Sequence, residues 1–225
     1  MLKKLNISND DLKAVREAVG EAEKNNSGEI ALAVTGESHD YAFYELFLSM
    51  IAGVVAFFIL LFFHTPITNL VDRMSWHAEP WHITGIYGLL VFLVIVAVYT
   101  LTNIPAIDRL IIPKKTRRTA VYQRAVRYFV ESGVYATNDH NGILLFISLM
   151  EHEVCIIADD GILRKIAQND LNRLAENLAA GMHDKKLVPA LLACIASCGT
   201  MLDTHFPLTG KEPSDELPNG LVILE

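Results

Sequence analysis

Two charge-free apolar runs lie close together in a chain of 225 residues, and they constrain its architecture more than any other feature. Residues 46–63 read LFLSMIAGVVAFFILLFF. As a helix this run reaches about 27 Å, close to the thickness of a bilayer's hydrocarbon core. Residues 83–107 are also free of charge and are most apolar at LLVFLVIVAV. Helices apolar on every side need more surrounding protein than this chain has, so the pair reads as a transmembrane hairpin with spans at about 46–63 and 84–104. Hydrophobic residues make up 52% of the chain, and the excess is concentrated in these two blocks.

The flanks set the orientation. Arg109, Lys114, Lys115, Arg117, Arg118, Arg124 and Arg127 follow the second run, whereas Arg73 is the only lysine or arginine between the runs. The positive-inside rule puts the basic flank in the cytoplasm, and two spans return the N-terminus to the same side. The same basic run suits contact with anionic lipid head groups. Trp76 and Trp81, the only tryptophans, fall between the runs and fit an interfacial belt, with His64, His77 and His82 as interfacial polar residues. The first residues mix apolar and charged side chains, unlike a signal peptide.

The remaining sequence alternates helix and strand signals. Ser8 with Asp11 opens a helix as a capping box, and Leu12, Val15, Val19 and Ala22 mark its apolar face. Residues 29–35 (EIALAVT) read as a buried strand, 116–131 as an amphipathic helix, and 142–149 and 153–158 as a β-hairpin. Two further helical stretches follow Asp160 and Asp170. Residues 187–202 run for only 16 positions, fewer than the roughly 20 a span needs, and contain Pro189, so a core helix is favoured over a third span. The segments before and after the hairpin are each short of a full core. Together they predict one interrupted domain: 1–40 its first part, 41–107 the hairpin, 108–225 the remainder and tail.

A formal net charge of -7 and the lack of a domain-wide basic face exclude a nucleic-acid binder. Cys155, Cys194 and Cys198 suit reduced thiols, with the pair at 194 and 198 as small buried hydrophobes. Walker, dinucleotide, HExxH and nucleophile-elbow patterns are missing, and Ser148 lies within a strand pattern without flanking glycines. The best chemical feature is Asp159-Asp160 at a strand end before a helix. Such carboxylates hold a hard cation such as calcium, with Asp139, Asn138 and Glu29 as further candidates, or act in acid/base chemistry, or cap the helix. Glu29 is the weakest member of this set, because it begins its strand and can sit at either end relative to the pair.

The segments GILLFISL and EVCIIADDGI, with the later His205-Phe206-Pro207 and Glu216-Leu217-Pro218 and the earlier Ser27-Gly28-Glu29-Ile30, resemble the TPM-domain family in its membrane-bound bacterial branch. The resemblance covers roughly 8–37 and 116–224. It implies an α/β fold, a compact α/β/α sandwich, here interrupted by the hairpin. It also implies a bacterial inner (cytoplasmic) membrane location with a cytoplasmic domain, and a role in maintaining or assembling membrane complexes through another membrane or membrane-associated protein. Acid phosphatase activity and calcium binding, proposed for some members, are the further implications. Asp159 matches the acidic residue of the strand-end motif and Glu29 that of the first strand. His140 and His152 stand where relatives often carry arginine. Two function classes follow: a non-catalytic assembly module, which is favoured, and a metal-dependent acid phosphatase.

Overall fold

The computed structural model describes residues 7–74, 80–208 and 216–224. In chain order the elements are α1 (Asn9–Glu23), β1 (Glu29–Thr35), α2 (Ala42–Phe62), α3 (His64–Met74), α4 (Pro80–Thr102), α5 (Pro105–Ile111), α6 (Lys114–Glu131), β2 (Gly142–Ser148), β3 (Glu153–Ala158), α7 (Asp160–Leu163), α8 (Gln168–His183), α9 (Leu187–His205) and β4 (Leu221–Leu224). They form two compact units, one made of Met1–His39 with Lys114–Glu225 and one of Asp40–Pro113.

The first unit is built on a four-stranded mixed sheet in the order β3-β2-β1-β4. β1 pairs in parallel with β2 over seven residues, from Glu29 opposite Gly142 to Thr35 opposite Ser148. β2 and β3 are antiparallel, and β4 lies parallel to β1 on its other side. Side chains alternate across a strand, so β1 and β2 divide their apolar residues between two faces. Ile30, Leu32, Val34, Ile143, Leu145 and Ile147 join one core with Val15 and Val19 of α1, Leu171 and Leu178 of α8, and Leu191 and Ile195 of α9. Ala31, Ala33, Leu144 and Phe146 join a second core with Val121, Ala125 and Phe129 of α6. Helices therefore cover both faces, and strands buried on both sides read as near-continuous apolar runs.

Local chemistry agrees with these elements. Ser8 Oγ accepts from the Asp11 N–H at 3.1 Å, and Asp11 Oδ2 accepts from the Ser8 N–H at 2.8 Å, completing the capping box. The β2–β3 turn lacks an Asn-Gly pair. His152 supplies the left-handed residue instead, with φ 52°.

α2, α4 and α9 are each long and apolar enough to cross a membrane. Their surfaces separate them. α2 and α4 expose large apolar side chains along their lengths, including Phe47, Met50, Val54, Phe58, Leu89, Phe92, Leu93 and Val96. α9 buries Leu191, Cys194, Ile195, Cys198 and Leu202 in the first core, while Pro189, Ala193, Ala196 and Thr200 face outward. Its apolar content serves the sheet, as a core helix would.

In the second unit α2 packs along α4. A Cβ on Gly53 would lie 2.6 Å from Ile95 Cγ1, so the absent side chain permits the close approach. His64 Nδ1 lies 3.1 Å from the Tyr87 hydroxyl. The segment between the runs is partly helical, as α3, which the sequence reading treats as an interfacial loop. Ser75, Trp76 and His77 lie outside the described residues; Trp81 is exposed and stacks on His82 with ring centroids 3.9 Å apart.

Candidate functional site: one edge of the sheet

Parallel pairing of β1 with β2 puts the starts of both strands at one edge. Antiparallel β3 brings its end there too, with Ala158 opposite Ile143. The Glu29 N–H donates to the Asn141 carbonyl at 3.2 Å, and the Asp159 N–H donates to the Gly142 carbonyl at 2.9 Å. Glu29 and Asp159 therefore share an edge.

Asp159 caps the short α7. Its Oδ1 accepts from the Asp160 N–H at 2.7 Å, and its Oδ2 lies 3.2 Å from His140 Nδ1. The second carboxylate, Asp160, is exposed in the first turn of α7. Repulsion between neighbouring aspartates is thus eased by exposure of one and by backbone and imidazole donors on the other. The Asp-x-Gly spacing has a steric cause: a Cβ on Gly161 would fall 2.3 Å from the His140 carbonyl.

Glu29 is buried, and its Oε1 accepts from the Glu216 N–H at 3.3 Å. Glu216 in turn accepts from the Asn138 N–H at 3.1 Å and from Asn138 Nδ2 at 2.7 Å. Asn138 is thereby drawn toward Glu216, and Asp139 stays exposed in the same turn. Asn141 Nδ2 reaches Ser27 Oγ at 3.0 Å. So Glu29, Asp139, Asp159 and Asp160 are all placed along one edge. Among the described residues, however, no three His, Cys, Asp or Glu side chains come close enough together to hold a metal ion.

A second polar cluster lies at the other end of β1 and β2, and sequence reasoning missed it. Ser148 and Glu151 are each 0% exposed. The Ser148 hydroxyl donates to Glu151 Oε2, the Ser38 N–H donates to Glu151 Oε1 at 2.9 Å, and the Ser38 and Ser148 hydroxyls are 2.7 Å apart. Arg117 donates to the Glu151 carbonyl at 3.0 Å. The only local signal was a serine three residues before a glutamate at a turn.

The fold is similar to that of a bacterial protein. The NMR structure of the BA42 protein from the psychrophilic bacterium Bizionia argentinensis matches at a TM-score of 0.55, covering 96% of this chain and 94% of that chain. At 16% sequence identity, the likeness to BA42 is one of fold alone. No family model and no curated protein matches the chain.

Proposed function

We propose that the chain is a membrane-tethered, TPM-like domain of the bacterial inner membrane, acting as a non-catalytic module that holds or assembles a membrane complex. The carrying observation is the insertion itself. α2 and α4 expose apolar side chains on a unit that interrupts the chain between β1 and β2, while those strands keep an unbroken seven-residue pairing. The domain is thus tied to the bilayer from within its sheet, and the basic flank from Arg109 to Arg127 favours its cytoplasmic placement.

The polar residues favour binding over turnover. Asp159 is engaged by a helix N-terminus and His140, Glu29 by the Glu216 backbone, and Glu151 by Ser38 and Ser148. Carboxylates used this way hold the backbone in place. A rim carrying exposed Asp139 and Asp160 suits a complementary surface on another membrane or membrane-associated protein.

The deciding experiment is a p-nitrophenyl phosphate assay on detergent-purified protein with calcium, magnesium or chelator, with calorimetric titration of calcium alongside. The assembly reading expects turnover no greater than that of Asp159→Asn. Metal-dependent turnover lost in that variant would establish the phosphatase instead. Calcium heat lost in the same variant, without turnover, would make the edge a calcium-regulated docking surface.

A further inference from the structure

The hairpin carries a cleft of about 720 Å³ where α2 finishes and α4 begins. Phe57 and Leu61 of α2 line it together with Ile83 and Val91 of α4, and His64 and Tyr87 add polar atoms. A second cleft between the same helices, at Ala56, Leu60, Leu93 and Ala97, is lined by apolar side chains alone. A mostly apolar pocket with a few convergent polar groups is the usual form of a small-molecule site.

The end of α2 orders those polar groups. The helix stops at Phe62, so the Leu60 carbonyl is one of those a helix end leaves open. The Tyr87 hydroxyl donates to it at 3.2 Å. A phenol has one proton, so in the 3.1 Å contact between His64 Nδ1 and the Tyr87 oxygen the imidazole is the donor. The neutral ring then carries its lone pair on Nε2, which takes no partner among the described residues.

The surroundings narrow the occupant. α2 and α4 expose large apolar side chains along their lengths, so what enters from a bilayer is lipid-soluble. None of the described lining residues is Asp, Glu, Lys or Arg, which gives no attraction to a phosphate or carboxylate head. The donors of Tyr87 and His64 are both engaged, so a head that only accepts, such as a quinone carbonyl, is served by neither. A head that donates a hydroxyl meets Nε2. We propose that the cleft binds an uncharged membrane lipid whose hydroxyl head donates to His64 Nε2, with its chains along Phe57, Leu61 and Val91. The site rests on the hairpin's place in the bilayer and does not depend on the assembly reading.

Two glycines of α4 allow a clean test. A Cβ added to Gly85 or Gly88 would meet no atom within 4 Å, but only Gly88 lines the cleft. The full chain in detergent is titrated with dioleoylglycerol, its methyl ether or dioleoylphosphatidylcholine and followed by native mass spectrometry. Dioleoylglycerol should bind about tenfold or more tighter than the other two, as one buried hydrogen bond allows. Gly88→Leu should weaken its binding about tenfold or more, while Gly85→Leu should leave it unchanged. His64→Leu should bind the alcohol and its ether alike. Equal retention of all three lipids, unchanged binding in Gly88→Leu, or equal losses in both glycine variants would overturn the site. So would a dimer that Gly88→Leu dissociates, which would give the cleft to a second copy of the chain.

Discussion

Ser38 and Glu151 are 113 residues apart in sequence, yet the Ser38 N–H donates to Glu151 Oε1 at 2.9 Å. Ser38 lies just before the inserted hairpin, and Arg117, which donates to the Glu151 carbonyl, lies just after it. One buried turn residue thus ties both flanks of the insertion to the sheet. Glu151→Ala strips acceptors from the buried Ser148 hydroxyl and Ser38 amide. An unsatisfied buried polar group costs about 1–3 kcal/mol, so we expect a loss of about 2 kcal/mol or more. Ser148→Ala, which leaves Glu151 its Ser38 bond, should cost less. Thermal unfolding of both variants in detergent checks the order; equal, negligible losses would contradict it.

Removing the hairpin should leave the first unit folded. With 40–113 replaced by a Gly/Ser linker, the β1–β2 pairing and both cores remain. The expected product is soluble and keeps its near-ultraviolet circular dichroism. A fragment of 116–225 should not fold, because β1 is the strand joining β2 to β4. A stable fragment would refute the split-domain account.

Gly199 lies where α9 meets α1, and an added Cβ would come within 2.8 Å of the Ala22 Cβ and 3.0 Å of its Cα. Gly199→Val should therefore force the helices apart, at a cost of about 1–3 kcal/mol for overpacking. Ala22→Gly should partly restore the double variant. A Gly199→Val protein as stable as its parent would show that the helices separate freely.

Burial pushes the Cys155 thiol up to about 11 from its ordinary value of 9.0. The folded state then holds a proton that the unfolded chain releases between those values. Stability is therefore flat below pH 9.0 and falls as pH rises toward 11. Tyr128, also raised by burial, acts in the same direction. Cys155→Ala should make the alkaline fall shallower, by up to about 2 kcal/mol. Denaturation midpoints from pH 8 to 11 supply the measurement, and an unchanged slope would discount the thiol.

The capping box gives an acid-side counterpart. Ser8 backbone and hydroxyl donors hold the Asp11 carboxyl below its ordinary 3.8. Its stabilisation is present above that value and is lost as pH falls through the lower folded one. Ser8→Ala should move the Asp11 carboxyl resonance midpoint upward in an NMR titration. An unmoved midpoint would mean that the Ser8 hydroxyl contributes nothing beside the backbone donor.

Much of the fold was legible because its signals are local. Charge-free runs marked α2 and α4, apolar runs between turn residues marked β1, β2 and β3, and Ser8 with Asp11 marked the start of α1. Asp159 was legible as a cap for the same reason, since a cap involves only its neighbours in the chain. β4 was read merely as part of the tail, because four residues have too little pattern to count as a strand. α3 was read as a loop because its polar and apolar residues mix.

By itself the sequence determined where apolar side chains must leave water, and hence which segments suit a membrane and which suit a sheet. Only the tertiary structure decided that β1 pairs in parallel with β2. That pairing sets Glu29 and Asp159 at one end of the strands and joins Ser38 to Glu151 at the other. It also decided that the apolar face of α9 covers the sheet. The physical reason is range. Composition and periodicity act over one or two turns of chain, whereas strand order and register come from contacts between residues more than a hundred positions apart.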